Sequence, residues 1–304
     1  MVILNSIFPL FCLIALGCLL NRFNVTTGAF FATSDRLVYY IFFPVMLFWK
    51  IRRATTDGGE SINLCMAVIA SILVVYLLSL GAIGLFGISS FQAGSFSQAC
   101  YRFNTYIGMA IIITTLGEPG VRYFGILIGF AIPFVNVLAV STLVWHSGKQ
   151  GSPGDTAHYL LRTLISNPLI LGCVAGILFA KFKLSFPVFL DNTFRMMTSV
   201  TLPLALLSIG GSLRLVGLRQ KAVISFAAAL LKIVILPLIG FLFLKLFSVS
   251  GVPFKVGMIF FALPTSTAIY VLSAQLSSDT ELASAAIMVS TVFSFIPLSV
   301  VLLL

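Results

Sequence analysis

Apolar runs separated by short polar breaks follow one another along almost the whole chain of 304 residues. A helix needs about 20 apolar residues to cross roughly 30 Å of hydrocarbon. Runs of that kind lie near residues 3–21, 37–50, 62–86, 97–116 and 121–145. After a polar stretch from Ser147 to His158 they resume near 160–180, 188–213, 222–247, 254–276 and 281–303. The pattern predicts an all-α integral membrane protein of about ten transmembrane helices. It has a five-helix half over 1–146, a central loop over 147–158 and a second half over 159–304.

The halves resemble each other at one offset. Shifted by 159 residues, Pro9 meets Pro168, Leu10 meets Leu169, Gly17 meets Gly176, Leu19 meets Leu178 and Phe23 meets Phe182. In the next spans Arg36 meets Arg195, Pro44 meets Pro203 and Leu47 meets Leu206. At 160 residues, Asn104-Thr105 meets Pro264-Thr265. Five is odd, so the second copy enters the membrane from the opposite side, and the expected architecture is a pair of inverted repeats, common among secondary transporters.

Composition agrees. The chain is 60% hydrophobic and 9% charged, where a soluble domain carries about 25% charged residues; too few charges remain for a water-facing surface. The formal net charge of +10 comes from 18 basic against 8 acidic residues. The basic residues stand singly or in twos and threes between apolar runs, as at Lys50, Arg52, Arg53 and Arg214, Arg219, Lys221. That suits anchoring at lipid headgroups, and without a basic stripe it excludes nucleic acid as a partner. Basic residues divide almost evenly between the two sides, so they do not orient the chain. Cys12, Cys18, Cys65, Cys100 and Cys173 lie in apolar runs without metal-type spacing and read as small apolar helix residues. The first segment lacks a charged leader and a cleavage site, and is expected to be retained.

Two spans carry polar groups where a lipid-exposed helix would not tolerate them. The fourth contains Arg102-Phe103-Asn104-Thr105-Tyr106, and the ninth Leu263-Pro264-Thr265-Ser266-Thr267. Irregular backbone at membrane depth survives only inside protein or beside a water-filled cavity. Paired interruptions in corresponding spans point to a midplane binding site. Breaking a helix exposes N–H groups and the positive dipole end to an anion, and Asn104, Thr105, Thr265 and Ser266 would add donors beside Pro264. The bland alternative is a proline kink with hydroxyls bonded to their own helix.

Lys232 sits deep in the eighth span; an intramembrane charge costs about 2.5–3.5 kcal/mol on insertion scales and marks a functional candidate. It either meets a substrate carboxylate or snorkels. Asn5, Asn136, Asn167 and Gln275 suit interhelical hydrogen bonds, and Asn136, after Pro133, is the best placed to reach a ligand. Ser208, Gly210, Gly211 and Ser212 read as close-packing positions. All eight acids, Asp35 included, fall at span ends or in loops by this reading, which argues against a carboxylate proton relay.

Four stretches carry a family resemblance: Arg36-Leu37-Val38-Tyr39-Tyr40-Ile41-Phe42-Phe43-Pro44, Arg102-Phe103-Asn104-Thr105-Tyr106-Ile107-Gly108, Leu202-Pro203-Leu204-Ala205-Leu206-Leu207-Ser208-Ile209-Gly210, and Leu263-Pro264-Thr265-Ser266-Thr267-Ala268. Through them the whole chain resembles the auxin efflux carrier family, which includes bacterial malonate-type carriers and the plant PIN carriers. The resemblance implies ten helices in two inverted five-helix repeats, the fold shared with bile-acid sodium symporters. It also implies that the fourth and ninth helices unwind and cross at the midplane beneath an organic-anion site, which by similarity takes in Asn104, Thr105, Pro264 and Thr265. It further implies elevator-like movement, a homodimer, a multi-pass place in the inner (plasma) membrane, and a cytosolic central loop. This chain departs from the pattern at Phe103, where no proline precedes the asparagine, and at Leu263, where methionine is common. The long plant loop is absent, so its regulation and auxin itself do not carry over.

The expectation is a secondary carrier for a small mono- or dicarboxylate, with no cofactor and with sodium or proton coupling left open. The alternatives are a sodium-coupled organic-anion symporter of the bile-acid type and a non-transporting membrane sensor of carboxylates. An intramembrane enzyme would need a catalytic histidine, an aspartate pair or a metal motif within a span, and the sequence holds none.

Overall fold

A computed structural model describes residues 7–52, 58–146, 162, 166–213 and 218–303. The central loop, Asn5, His158 and the loop charges Arg53, Asp57, Lys149, Asp155 and Arg214 lie outside the described residues. Every regular element among the described residues is helical.

Local chemistry sets the elements. Helix α1 (Phe8–Arg22) opens on Pro9, whose missing N–H costs nothing in a first turn. Helix α2 (Gly28–Ile51) is capped by Thr27, whose hydroxyl accepts from the Phe30 amide at 3.3 Å. It widens into a π-turn over Val38–Phe42, just ahead of Pro44. Helices α3 (Gly58–Leu85), α4 (Ser90–Tyr101) and α5 (Thr105–His146) follow. Helix α6 (Pro168–Lys181) is capped by Asn167, and α7 (Val188–Ser212) runs through Pro203. Helix α8 (Gln220–Leu246) carries a second π-turn, Leu231–Ile235, just ahead of Pro237. In both cases the π-turn takes up the hydrogen bond that the proline cannot donate. Helices α9 (Gly251–Ala262), α10 (Ala268–Gln275), α11 (Thr280–Phe293) and α12 (Phe295–Val301) complete the chain.

Among the described residues, five helical stretches are long and apolar enough to cross a membrane: Gly28–Ile51, Gly59–Leu85, Ser90–His146, Val188–Ser212 and Gln220–Leu246. The pair α11 and α12, bent by 42°, makes a sixth if taken as one. Phe8–Arg22, Pro168–Lys181 and Gly251–Ala262 are shorter apolar helices. The stretch Ser90–His146 has 57 residues, far more than the 17–25 or so of one crossing. It is interrupted at residues 102–104 and turns again at Gly117, whose φ of 61° and ψ of −149° suit glycine alone.

The helices pack as two groups. In one, α1 lies along α7 and α2 along α6, with α7 also against α2. In the other, α3, α4, α8, α9 and α11 pack together, with α10 against α4 and α11. Helix α5 touches members of both groups and carries most of the contact between them, joined by an edge-to-face pair of Phe11 and Phe295. Glycines set the closest crossings in the first group. A Cβ on Gly17 would lie 2.1 Å from the Leu207 carbonyl oxygen, and one on Gly176 3.0 Å from the Phe48 carbonyl oxygen. These contacts correspond at the offset of 159 in both members. Gly210 presses on the Ile14 carbonyl, Gly211 on the Phe31 ring, and Ser208 donates to the Phe31 carbonyl at 2.8 Å.

Candidate functional site

The two helix breaks meet. Helix α4 ends as Arg102 turns to extended backbone (φ −68°, ψ 140°), and α9 ends as Leu263 does the same (φ −62°, ψ 143°). The Asn104 amide then donates to the Pro264 carbonyl at 2.9 Å. Each break exposes helix ends that need partners, and side chains supply several. The Asn104 Oδ1 accepts from the amides of Tyr106 and Ile107 at 3.1 and 3.2 Å, starting α5. The Ser266 hydroxyl accepts from the Ala268 amide at 3.3 Å, starting α10.

The ends behind them are closed from across the breaks. The Thr265 hydroxyl donates to the Ala99 carbonyl in the last turn of α4 at 2.9 Å, while its amide donates to the Ser290 hydroxyl on α11 at 3.1 Å. The Lys232 ammonium, buried in α8, donates to the Phe261 carbonyl in the last turn of α9 at 3.1 Å. A cation at a helix C-terminus also meets the negative dipole end.

A cavity of about 490 Å³ opens at the breaks, between the two helix groups. Arg102, Asn104, Thr105 and Tyr106 line it from the first break, and Ser266, Thr267 and Ala268 from the second. Asn136 on α5, Asn167 at the start of α6 and Gln275 on α10 face the same space. From α2 come Asp35, Arg36, Tyr39 and Tyr40. The N-terminal ends of α5, α6 and α10 thus converge on one cavity, each turning a positive dipole end toward it, with their first amides capped by Asn104, Asn167 and Ser266. Arg102, 9% exposed, is oriented by the Gln98 Oε1 at 3.2 Å and the Asn136 Oδ1 at 2.9 Å. The Nδ2 of Asn104, on a side chain 2% exposed, has no hydrogen-bond partner in the protein. That nitrogen is itself buried, beside the cavity rather than on its surface, and is a polar group the protein leaves unpaired at the site.

The structure divides the residues singled out from sequence. Asn104, Thr105, Ser266 and Asn136 line the cavity. Pro264, Thr265 and Lys232 do not: Pro264 offers its carbonyl to Asn104, and the other two close the C-terminal ends of α4 and α9 from behind. The expectation that all acids lie at span ends is corrected. Asp35 lies within the apolar stretch Gly28–Ile51 and lines the cavity, because the Thr27 cap starts α2 well before the apolar run begins. Sequence reasoning also underrated Arg102 and took Asn167 for an interhelical bond; Asn167 directly before Pro168 was a legible cap signal, and its Oδ1 accepts from the Leu169 amide at 3.0 Å. No group of three or more metal-ligating side chains occurs among the described residues.

Residues 152–302 match the family model described as a membrane transport protein. A protein named as a putative malonate transporter in Rhizobium meliloti (strain 1021) is 24% identical over 297 residues, covering 96% of this chain and 92% of that protein. An uncharacterized transporter of Methanocaldococcus jannaschii is 22% identical over 303 residues, covering 97% of this chain and 96% of that protein. Both similarities run through both halves, as does the set of motifs by which the chain resembles the auxin efflux carrier family, and together with the family model they point to a membrane transporter and not an enzyme.

Proposed function

We propose that the protein is a secondary transporter that carries a small organic anion, a mono- or dicarboxylate, across the inner (plasma) membrane by alternating access. The observation that carries this reading is the convergence of three helix N-termini and Arg102 on one cavity at the meeting of the two breaks. Each helix terminus contributes about 0.3–1 kcal/mol toward an anion at an exposed site and up to ~2 kcal/mol in a partly buried one. A hydrogen bond to a charged group adds about 1.5–3 kcal/mol.

The architecture proposed with it is ten spans in two inverted repeats. Three features support it: the broken pairs α4–α5 and α9–α10, the turn at Gly117 that separates a fifth span, and the matched glycine contacts of Gly17 and Gly176. In this reading the group containing both breaks moves as the carrier against a scaffold of α1, α2, α6 and α7, with α5 at the sliding contact. A homodimer formed through the scaffold belongs to the same proposal. Malonate is the first substrate to try, since a relative matched along nearly all of the chain is named for it.

The test is uptake and counterflow of labelled malonate, succinate, lactate and indole-3-acetate in proteoliposomes. Saturable flux of a carboxylate is the expected result. A preparation that binds a carboxylate yet shows neither uptake nor counterflow would assign a sensor instead.

A further inference from the structure

Asp35 is the one carboxylate in the cavity wall among the described residues. It is half-buried, and its side chain makes no hydrogen bond or ion pair with another described residue. It sits on α2, facing the same space as Arg102, Asn104 and Thr105. An anion drawn in by those donors therefore shares a cavity of about 490 Å³ with a second negative charge. Two like charges confined in so small a volume repel strongly, and a carboxylate relieves that repulsion by taking up a proton.

Resting on the carrier reading, we propose that Asp35 is a proton-linked group of the substrate site, which takes up a proton as the substrate anion binds. The proton comes from bulk water onto an Asp35 carboxylate oxygen when the anion enters, and returns to bulk water when the anion leaves. With Asp35 ionised, the two arginines and one carboxylate of the wall sum to one positive charge. With Asp35 protonated they sum to two, which matches a dicarboxylate dianion.

The groups around Asp35 leave it as the titrating member. Its own helix brings Arg36, Tyr39 and Tyr40, and the first break brings Arg102 and Tyr106. Helices α6 and α10 bring only neutral Asn167, Ser266, Thr267 and Gln275 to the cavity. Helix α7, packed on the same stretch of α2, has no charged or titratable side chain from Met196 to Ser212. Arginine stays charged and tyrosine neutral near pH 7.

Proton uptake on adding malonate to the purified protein in weakly buffered detergent solution tests this, with malonate binding followed in parallel. The expected result is proton uptake that approaches one per malonate bound, and an affinity that tightens as the pH is lowered. In Asp35→Asn both the uptake and the pH dependence should vanish, and in Asp35→Glu both should return. Malonate binding by the unaltered protein without proton uptake would overturn the proposal, as would uptake that persists in Asp35→Asn. Binding that depends on sodium instead would assign the carboxylate to a cation and also overturn it. If none of malonate, succinate, lactate or indole-3-acetate binds, the carrier reading itself falls, and this inference with it.

Discussion

The Asn104 amide donates to the Pro264 carbonyl at 2.9 Å, joining the two helix breaks through residues that correspond between the halves at an offset of 160. A second bond behaves alike: the Thr201 hydroxyl lies 3.3 Å from the Phe42 carbonyl, a pair related by the offset of 159. Contacts between a residue and its own counterpart are what an axis relating two repeats would produce. Between the two breaks the cavity is framed by backbone groups that neither half could satisfy alone.

Asn104 has two duties that a pair of substitutions separates. Its Oδ1 caps α5, and its Nδ2 lies unpaired beside the cavity, where a shift on ligand binding would bring it within reach. Asn104→Asp keeps the cap, since aspartate caps as well as asparagine, but turns the donor into a negative acceptor. Its thermal midpoint should stay near that of the unaltered protein while malonate uptake falls by about tenfold or more, as the loss of a hydrogen bond to a charged group requires. Asn104→Ala should lose both, with about 0.5–2 kcal/mol of stability gone with the cap. Uptake by Asn104→Asp at the unaltered rate would remove the donor from the account.

Arg102 should govern affinity. Its guanidinium reaches Gln98 and Asn136 at once, a geometry that a planar fork allows and an ammonium does not. Arg102→Gln should weaken carboxylate binding by about 10- to 100-fold, in line with losing 1.5–3 kcal/mol of charged hydrogen bonding. Arg102→Lys should recover only part of it. Equilibrium binding of labelled malonate in detergent reads the difference directly.

Lys232 should affect rate rather than affinity. It lies outside the cavity lining and supports the end of α9 through the Phe261 carbonyl. Lys232→Met removes that donor and loosens the second break, so maximal flux should fall by roughly 2- to 12-fold, the worth of about 0.5–1.5 kcal/mol. The malonate KM should stay within about twofold, because an interaction that does not touch substrate leaves ground-state binding alone. A large rise in KM would place the ammonium on the substrate after all.

The breaks were legible because Asn, Thr, Ser and Pro within apolar runs have few reasons to be there, and the matching positions in the two halves removed most of those. The start of α2 was not. Hydropathy begins a span where apolar residues begin, near residue 37, whereas the helix begins at its cap, Thr27, so Asp35 and Arg36 read as loop residues though they form cavity wall. Lys232 and Thr265 were legible as unusual but not as supports. Their partners, the Phe261 and Ala99 carbonyls, are backbone atoms 29 and 166 residues away, and no spacing within a helix announces such a contact.

The glycine crossings offer a test of the scaffold that is independent of any substrate. A Cβ on Gly210 would sit 1.8 Å from the Ile14 carbonyl oxygen, and one on Gly17 2.1 Å from that of Leu207. Both obstacles are backbone atoms, which cannot rotate away, so α1 and α7 must separate to admit even a methyl group. Gly210→Ala and Gly17→Ala should each cost about 1–3 kcal/mol, the usual range for overpacking, seen as a lower midpoint for loss of the monodisperse peak on heating. Gly129, in α5, has nothing within 4 Å of the same position. Gly129→Ala should therefore be neutral or raise the midpoint, by the ~0.5–1 kcal/mol that alanine gains over glycine inside a helix. Equal losses at all three positions would mean that α1 and α7 do not cross this closely in the membrane.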